Sequence, residues 1–338
     1  MSLRASRAAA LRLPPVVLDL DGSVGPLPGE RRLALGDWQE TMRFGCTLAQ
    51  MMRFRDAIQP QLPAPADRGT VLMGSGDFHH LSWPLIAHLA QAGTEGNARP
   101  WPERSLRVVV LDNHPDNMRF PFGVHCGSWV SHVASHPAVG HVHVVGITSP
   151  DIGLGHAWEN RLAPLRAGKL SYWSVGVDTT WSRWLGIASA FRNFDCAEHL
   201  ADTLCTELQA APQATYLSID KDVFAADVVR TNWDQGQLQE AQANRVIAAL
   251  QGQIYGSDIT GDVSAYRYRT AWKRCLSHAD AQETEIEPAL LQSWQQAQHA
   301  LNRRLVARIA SASAFAAGNP SAGSVPVPHQ AALAASRA

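Results

Sequence analysis

The sequence predicts an α/β fold in three layers, an αβα sandwich whose mainly parallel β-sheet lies between two layers of helices. Short runs rich in β-branched residues alternate with longer helical patterns along the 338 residues, and this alternation is typical of a parallel sheet. Several runs are apolar throughout, as strands covered on both faces must be. The candidate strands are residues 15–20, 70–73, 107–111, 141–147, 172–177, 215–219 and 254–259.

Helix candidates lie between these strands, where apolar side chains recur at helical spacing. The first of them carries Trp38, Met42 and Met51 at this spacing. In the last, Pro288 indicates a start near Glu287, because proline is tolerated in the first turn of a helix but not in its interior. The candidate helices are residues 37–57, 82–92, 188–211, 238–251 and 281–310.

The composition is that of a globular chain without a bias towards a charged partner. The hydrophobic fraction is 46%, which allows a substantial core. The formal net charge is −1, so no overall field favours nucleic acid or an anionic membrane. No apolar run reaches the ~20 residues needed to span a bilayer. We therefore expect neither nucleic acid nor a membrane as a partner.

The five cysteines show no Cys-x-x-Cys spacing. This argues against a zinc ribbon or a disulfide framework and favours a reduced, cytoplasmic setting. We expect a flexible N-terminal arm over residues 1–13 and one domain over residues 14–312. Residues 313–338 are rich in Ala, Pro and Ser and almost without charge, which predicts a disordered tail.

Polar clusters follow three of the candidate strands. Parallel α/β sheets place their sites beyond the carboxyl ends of the strands, so residues at these positions are candidates for chemistry. A histidine pair, an Asp-x-His-x-Asp segment and an Asp-x-Asp segment stand there in turn. They contribute His79 and His80, then Asp112, His114 and Asp116, and finally Asp220 and Asp222.

The spacing within the last two segments predicts metal binding. In an extended chain, side chains at i, i+2 and i+4 point the same way, so each segment can converge on one point. Clustered carboxylates repel one another unless cations are shared between them. Carboxylate oxygens with a minority of imidazoles suit Mn²⁺ better than a thiolate-preferring ion. A pair of such ions would activate a bridging water and polarise an electrophile.

These segments resemble motifs of the arginase and agmatinase (ureohydrolase) family, part of the arginase–deacetylase superfamily. Residues 112–116 look like its Asp-Ala-His-x-Asp motif, and residues 218–222 look like its Ser-x-Asp-x-Asp motif. Residues 74–79 are similar to its Gly-Gly-Asp-His motif with one inserted residue, which leaves open whether His79 or His80 is the ligand. The resemblance covers residues 70–262 and implies an arginase-like fold. Residues 223–227 replace the family's usual sequence after Asp-x-Asp, which indicates a divergent member.

Carried over residue by residue, the resemblance implies two metal ions per chain, with Mn²⁺ favoured. Asp116 would also accept a hydrogen bond from the bridging hydroxide, and His125 would assist proton transfer to the leaving group. Asn117, Asp151 and Asp262 would bind the substrate. One ion would lie on His79 (or His80), Asp112, Asp116 and Asp220, and the other on Asp112, His114, Asp220 and Asp222.

The resemblance implies hydrolysis of a C–N bond in a guanidine-like group with release of urea. The substrate would be a small guanidine compound or an arginine-containing peptide, and a homo-oligomer is one expected state. Three alternatives stay open. The first is a deacetylase with a single Zn²⁺ that uses His79 and His80 as paired bases. The second is a phosphatase of the haloacid dehalogenase type, whose nucleophile motif residues 16–23 resemble. The third is an arginase-like scaffold that binds a partner without catalysis.

Overall fold

The computed structural model describes residues 13–92 and 104–315. A nine-stranded parallel sheet lies at the centre of this part of the chain. Its strand order is β2-β1-β4-β11-β10-β5-β7-β8-β9, and β3 and β6 form a separate antiparallel pair. In chain order the strands are β1 (Val16–Asp19), β2 (Arg31–Ala34), β3 (Gly45–Cys46), β4 (Val71–Leu72), β5 (Leu106–Leu111), β6 (Val124–His125), β7 (Val139–Ile147), β8 (Leu170–Val175), β9 (Phe191–Phe194), β10 (Thr215–Asp220) and β11 (Ile254–Thr260).

Helices cover both faces of this sheet. The helices of the described residues are α1 (Gln39–Met42), α2 (Leu48–Ile58), α3 (Ser82–Gln91), α4 (Val130–Ala134), α5 (Leu162–Arg166), α6 (Ala197–Ala210), α7 (Glu240–Ala249), α8 (Ala271–Ala279) and α9 (Pro288–Ala312).

Alternate residues of the central strands enter two separate cores, as the pleat of a strand requires. Val108 and Val110 of β5 pack in the core that α2, α3, α4 and α5 complete. Val109 and Leu111 pack in the opposite core with α6, α7 and α9. The predicted three-layer αβα sandwich with a parallel sheet is thus confirmed.

All seven predicted strands are present, but the two edge strands β2 and β9 were missed. β9 lies inside residues 188–211, where the sequence predicted a helix, and α6 begins only at Ala197. Residues of β9 are half-buried or exposed, so their pattern carries no clear strand signal. Pairing with β8 outweighs the local helical preference.

The predicted helix over residues 37–57 is interrupted between α1 and α2. Phe44 has a φ of 67°, in the left-handed region that ends a helix. The neighbouring Arg43 is buried and forms ion pairs of 2.6 Å with Asp21 and with Asp77. Thr47 then starts α2 by accepting a hydrogen bond from the Gln50 backbone N–H. Long-range ion pairs therefore break a pattern that is helical by its apolar spacing alone.

The last helix begins where the sequence predicted, since Glu287 caps the N–H of Leu290 and Pro288 occupies the first turn. Residues 313–315, assigned to the disordered tail, instead pack on the domain: the Ala314 N–H donates to Ile254, and Ala314 is buried. Residues 1–12 and 316–338, which hold most of the predicted arm and tail, lie outside the described residues. No helix within the described ranges has the length and apolar character needed to cross a membrane.

Candidate metal centre

His79 and three carboxylates meet beyond the carboxyl ends of β4, β5 and β10. His79 Nδ1 lies 3.1 Å from an oxygen of Asp112, 2.9 Å from one of Asp116 and 3.5 Å from one of Asp220. All four side chains are buried. His79 is therefore the histidine of this segment that joins the predicted ligands.

His80 does not join them. Its ring is fully buried and does not line the cleft described below. Burial holds the pKa of His80 well below its usual value. The 3-10 turn Gly76–Leu81 places consecutive side chains on different sides, so only one of the two histidines can face the carboxylates.

A second group of ligands lies next to the first and shares Asp112 with it. His114 Nδ1 is 3.0 Å from Asp222 Oδ2 and 3.7 Å from Asp112 Oδ1, whereas Asp112 Oδ2 faces His79. Asp220 directs Oδ2 towards His79 and accepts the Asp222 N–H on Oδ1. The donor atoms of His79, Asp112 and Asp116, and those of Asp112, His114 and Asp222, lie within 4.8 Å of one another in each group.

The backbone that builds the Asp-x-His-x-Asp segment is not the extended run that the sequence predicted. β5 ends at Leu111, and Asp116 has a φ of 46°. This left-handed turn returns Asp116 to the side of His79, while His114 faces Asp222. The segment therefore supplies ligands to two positions instead of one.

Burial and mutual repulsion raise the pKa values of three of these carboxylates. Burial and the charge of Asp112 raise the pKa of Asp116 to about 7 and that of Asp222 to about 6. Burial and Asp222 raise the pKa of Asp220 well above its usual value. Burial also opposes ionisation of Asp112, but His114 and His79 outweigh it and lower its pKa.

This donor set fits two divalent cations. Four carboxylates and two imidazoles are hard and borderline ligands of the kind that Mn²⁺ accepts. Asp112 Oδ2 is buried, and no donor of the described residues forms a hydrogen bond with it, as expected of an atom that a cation would satisfy. Cations would also remove the repulsion that raises the pKa values of Asp116, Asp220 and Asp222.

Hydrogen bonds behind His79 leave its Nδ1 free to bind. Ser218 Oγ donates to Asp258 Oδ1 at 2.6 Å, so it can only accept from His79 Nε2, which lies 2.9 Å away. Tyr216 donates to the other oxygen of Asp258 at 2.7 Å. The proton of the neutral ring is thereby placed on Nε2, and the lone pair of Nδ1 points to the carboxylates, as for a metal-binding histidine.

Two supporting residues were missed by the sequence prediction. Asp234 Oδ1 lies 2.7 Å from His114 Nε2, and Asn113 Nδ2 donates to Asp234 Oδ2. Trp129 Nε1 donates to Asp116 Oδ2 at 2.6 Å, and its ring packs against that of His79. Neither residue directly follows a predicted strand, and neither is part of a recognisable motif. One signal was present in the sequence, the acidic residue Asp234 in the loop after the Asp-x-Asp segment.

A cleft of about 480 Å³ opens over these ligands. Its wall beyond the ligands carries the carboxylates of Asp151, Glu159, Asp234 and Asp280, and no lysine or arginine lines it among the residues that the structure describes. Asp151, predicted to bind substrate, therefore lies in the cleft. Desolvation in the cleft, followed by the charge of Asp151, raises the pKa of Asp280 to about 6.

His125 also lines the cleft. Its Nδ1 accepts the Gly127 N–H at 3.0 Å, so the ring proton of the neutral form lies on Nε2. The ring is stacked on Phe44 and packs edge-on against Phe120. Burial lowers the pKa of His125 to about 3, so the ring is neutral at physiological pH.

The other two predicted substrate ligands lie elsewhere. Asn117 is buried and donates to the Arg161 carbonyl and to the Tyr172 hydroxyl. Asp262 is buried in an ion pair of 2.7 Å with Lys221. Neither lines the cleft, so both predictions are corrected: these side chains hold the fold behind the site.

Two of the alternative functions lose their supporting residues. Asp21 of the phosphatase-like segment is neutralised by buried Arg43, and Asp19 pairs with Arg32. Neither carboxylate is free to act as a nucleophile in the cleft. The deacetylase alternative needs His79 and His80 side by side at one metal ion, whereas His80 is outside the cleft.

The sequence matches no protein-family model and no curated protein. Solved structures match at low identity. A Trypanosoma cruzi formiminoglutamase with Mn²⁺ is 10% identical over 91% of this chain and 96% of its own, with a TM-score of 0.48. A putative agmatinase from Clostridium difficile is 12% identical over 88% and 97%, with a TM-score of 0.46. An arginase from Medicago truncatula is 14% identical, covers 78% of this chain and 64% of its own, and has a TM-score of 0.44.

Arginase and agmatinase are the names that the sequence motifs suggest.

Proposed function

We propose that this chain is a hydrolase with two divalent metal ions, Mn²⁺ being the expected ion. It cleaves a C–N bond of a cationic guanidine-like group and releases urea. The observation that carries the proposal is the pair of carboxylate–imidazole groups that share Asp112 at the floor of an acidic cleft.

The ligands divide into two sets. When bound, such a pair of ions supplies a hydroxide at neutral pH and polarises the carbon that is attacked, which suits a poorly electrophilic trigonal carbon. His79, Asp112, Asp116 and Asp220 would hold one ion, and Asp112, His114, Asp220 and Asp222 the other.

The charge of the cleft favours a cationic substrate. Asp151, Glu159 and Asp280 line it beyond the metal ligands, without a lysine or arginine in the described lining. Desolvation in the cleft, and after it the charge of Asp151, raises the pKa of Asp280. A bound guanidinium would relieve the repulsion between these two acids. Carboxylates also match the planar, hydrogen-bonding geometry of that group. Asp151 and Asp280 replace Asp262 in this role.

His125 would serve the leaving nitrogen. Its neutral ring carries a proton on Nε2 and is held by Phe44 and Phe120. It can therefore donate a hydrogen bond to the nitrogen as the C–N bond breaks, which stabilises the developing charge.

Metal analysis followed by a product screen tests the proposal. The protein, supplied with Mn²⁺, is offered free arginine, agmatine, guanidinobutyrate, an arginine-containing peptide and an acetyl-lysine peptide. We expect two metal ions per chain and urea from at least one guanidine compound. A single zinc ion with acetate release would replace the proposal with a deacetylase. Absence of bound metal would support a scaffold without catalysis.

A further inference from the structure

We propose that the substrate guanidinium is an arginine side chain carried by a polypeptide, which docks on exposed apolar side chains around the cleft. This inference rests on the proposed function and names the substrate class of the same site. It starts from where large apolar side chains are exposed to solvent.

Eight large apolar side chains are exposed among the described residues. Several of them line the groove beside the cleft or lie next to residues that line the cleft. Leu154 and Trp158 flank His156, which lines the cleft together with the adjacent Glu159. The neighbouring loop adds exposed Trp184 and Leu185. Trp181 ties that loop to the cleft wall, because its Nε1 donates to the Ile152 carbonyl.

A second groove of about 480 Å³, which Phe122 and Trp272 line, lies beside the cleft. Phe120 separates the two cavities by the thickness of one ring: its centroid lies 4.4 Å from that of His125 and 5.8 Å from that of Trp272. Helix α8 lines the groove with its first turn and the cleft with its last. A substrate that passes over Phe120 would therefore occupy both cavities.

A free amino acid would not use these surfaces, because the cleft alone can hold it. Exposed apolar clusters of this kind mark docking surfaces for macromolecules. The acidic cleft at their centre is complementary to a cationic side chain. The surface therefore suits an extended chain that inserts one arginine and lays its neighbouring residues on the rings.

The charges of the groove argue against a polyanion. Lys273 is its one lysine or arginine among the described lining residues. The Lys273 ammonium donates to the carbonyl oxygens of Glu40, Thr41 and Arg43. Carbonyl oxygens thus surround the Lys273 ammonium, and Glu40 lies beside it. The described lining of the groove is therefore a poor match for the phosphates on which nucleic-acid binding depends.

The test compares free arginine with a seven-residue peptide that has a central arginine between apolar residues. The variants are Phe122→Ala and Trp158→Ala, whose side chains are 67% and 70% exposed, so folding is not at issue. The control is Leu290→Ala, an exposed leucine on α9. Urea release gives kcat/KM, and anisotropy of the labelled peptide gives binding without turnover.

We expect the wild type to prefer the peptide over free arginine by at least tenfold in kcat/KM. Each ring variant should lower this ratio by about tenfold, the usual effect of losing an aromatic anchor, while Leu290→Ala should leave it unchanged. Equal kcat/KM for both substrates would overturn the inference and leave the proposed function standing. A dimer in light scattering that Phe122→Ala or Trp158→Ala converts to a monomer would also overturn it, because these rings would then be buried between two copies of the chain. Peptide binding that the ring variants weaken, without urea from any substrate, would support the docking surface and reject the ureohydrolase chemistry.

Discussion

Asp220 is the residue on which both candidate metal positions depend. Two glycines let the backbone approach its carboxylate: a Cβ at Gly261, where φ is +86°, would lie 2.5 Å from Oδ1, and one at Gly76 would lie 3.2 Å from Oδ2. Any larger residue at Gly261 would displace the carboxylate. The space around Asp220 is thus shaped to hold it in one position between the two sets of ligands.

We expect Asp220→Ala to abolish turnover and to reduce the metal content below two ions per chain. The loss removes a bridging ligand and unbalances the charge of the ligands that remain. Elemental analysis and urea release measure the two effects. Asp151→Asn is the matched control, since it removes a carboxylate from the same cleft and should keep both ions. Full turnover in Asp220→Ala would refute the ligand assignment.

His125→Ala should slow turnover by about 10²-fold while the metal content stays at the wild-type level, because groups that assist proton transfer typically contribute 10²–10⁴-fold. The ring packs against Phe44 and Phe120. Steady-state kinetics and elemental analysis on one preparation check this. If metal is lost with the ring, His125 belongs among the ligands.

Asp280 should make substrate binding dependent on pH. Desolvation in the cleft and the charges of Asp151 and Glu159 raise its pKa to about 6, against the opposing effect of His114. Its carboxylate therefore loses its charge as the pH falls through 6, and KM for a cationic substrate should rise between pH 7 and pH 5. Asp280→Asn should raise KM at pH 7 and flatten this profile. A wild-type profile in the variant would remove Asp280 from the binding role.

Among the secondary-structure elements, a buried ion pair connects the ends of β10 and β11 to α9. Lys221 stands between Asp220 and Asp222, and its ammonium pairs with Asp262 at 2.7 Å and donates to Asn302 at 2.9 Å. Asn302 also donates to Asp262. All three side chains are buried. The turn that carries two metal ligands is therefore anchored to a helix, at Asn302, that lies 81 residues further along the sequence than Lys221.

Lys221→Met is expected to lower the free energy of unfolding by about 3 kcal/mol, because it leaves the Asp262 charge buried and without its partner. Denaturant unfolding measures the loss. The double variant Lys221→Met, Asp262→Leu should recover much of it, since replacing both members of a buried pair by apolar groups is often neutral. A double variant less stable than Lys221→Met would show that packing, and not the unpaired charge, causes the loss.

On the scale of the whole molecule, the candidate metal centre lies at the middle of the sheet. The strands β4, β11, β10 and β5 are neighbours there, and β4, β10 and β5 each carry ligands just beyond or at their carboxyl ends. Cores on both faces hold these strands in place. Metal binding should therefore stabilise the entire fold and not only a loop.

Addition of Mn²⁺ at about 100 times its Kd should stabilise the folded state by about 2.7 kcal/mol. For a domain of this size, that corresponds to a rise in Tm of roughly 5 °C. Differential scanning calorimetry of metal-free and Mn²⁺-loaded protein checks it. Asp220→Ala should show a smaller rise. An identical Tm with and without Mn²⁺ would contradict metal binding by the folded chain.

The layers of the fold and five of the six proposed ligands could be predicted from the amino-acid sequence, which left the sixth ligand as either His79 or His80. Alternating strands and helices dictate a parallel sheet, and the carboxyl ends of its central strands share one edge. Residues such as Asp112 and Asp220 could therefore be assigned from their place directly after an apolar run. This information is local: it needs only the composition of a strand and the residue that follows it.

The tertiary structure decided which neighbouring side chain faces the site. His79 is chosen over His80 because Ser218, 139 residues further on, fixes its ring. Asp262 lies outside the cleft because it pairs with Lys221. Asp234 contacts His114 from a loop whose sequence carries no recognisable motif. Each of these outcomes depends on a partner that is distant in sequence. The direction of a side chain at a turn follows from contacts that form only when the strands and loops have been brought together.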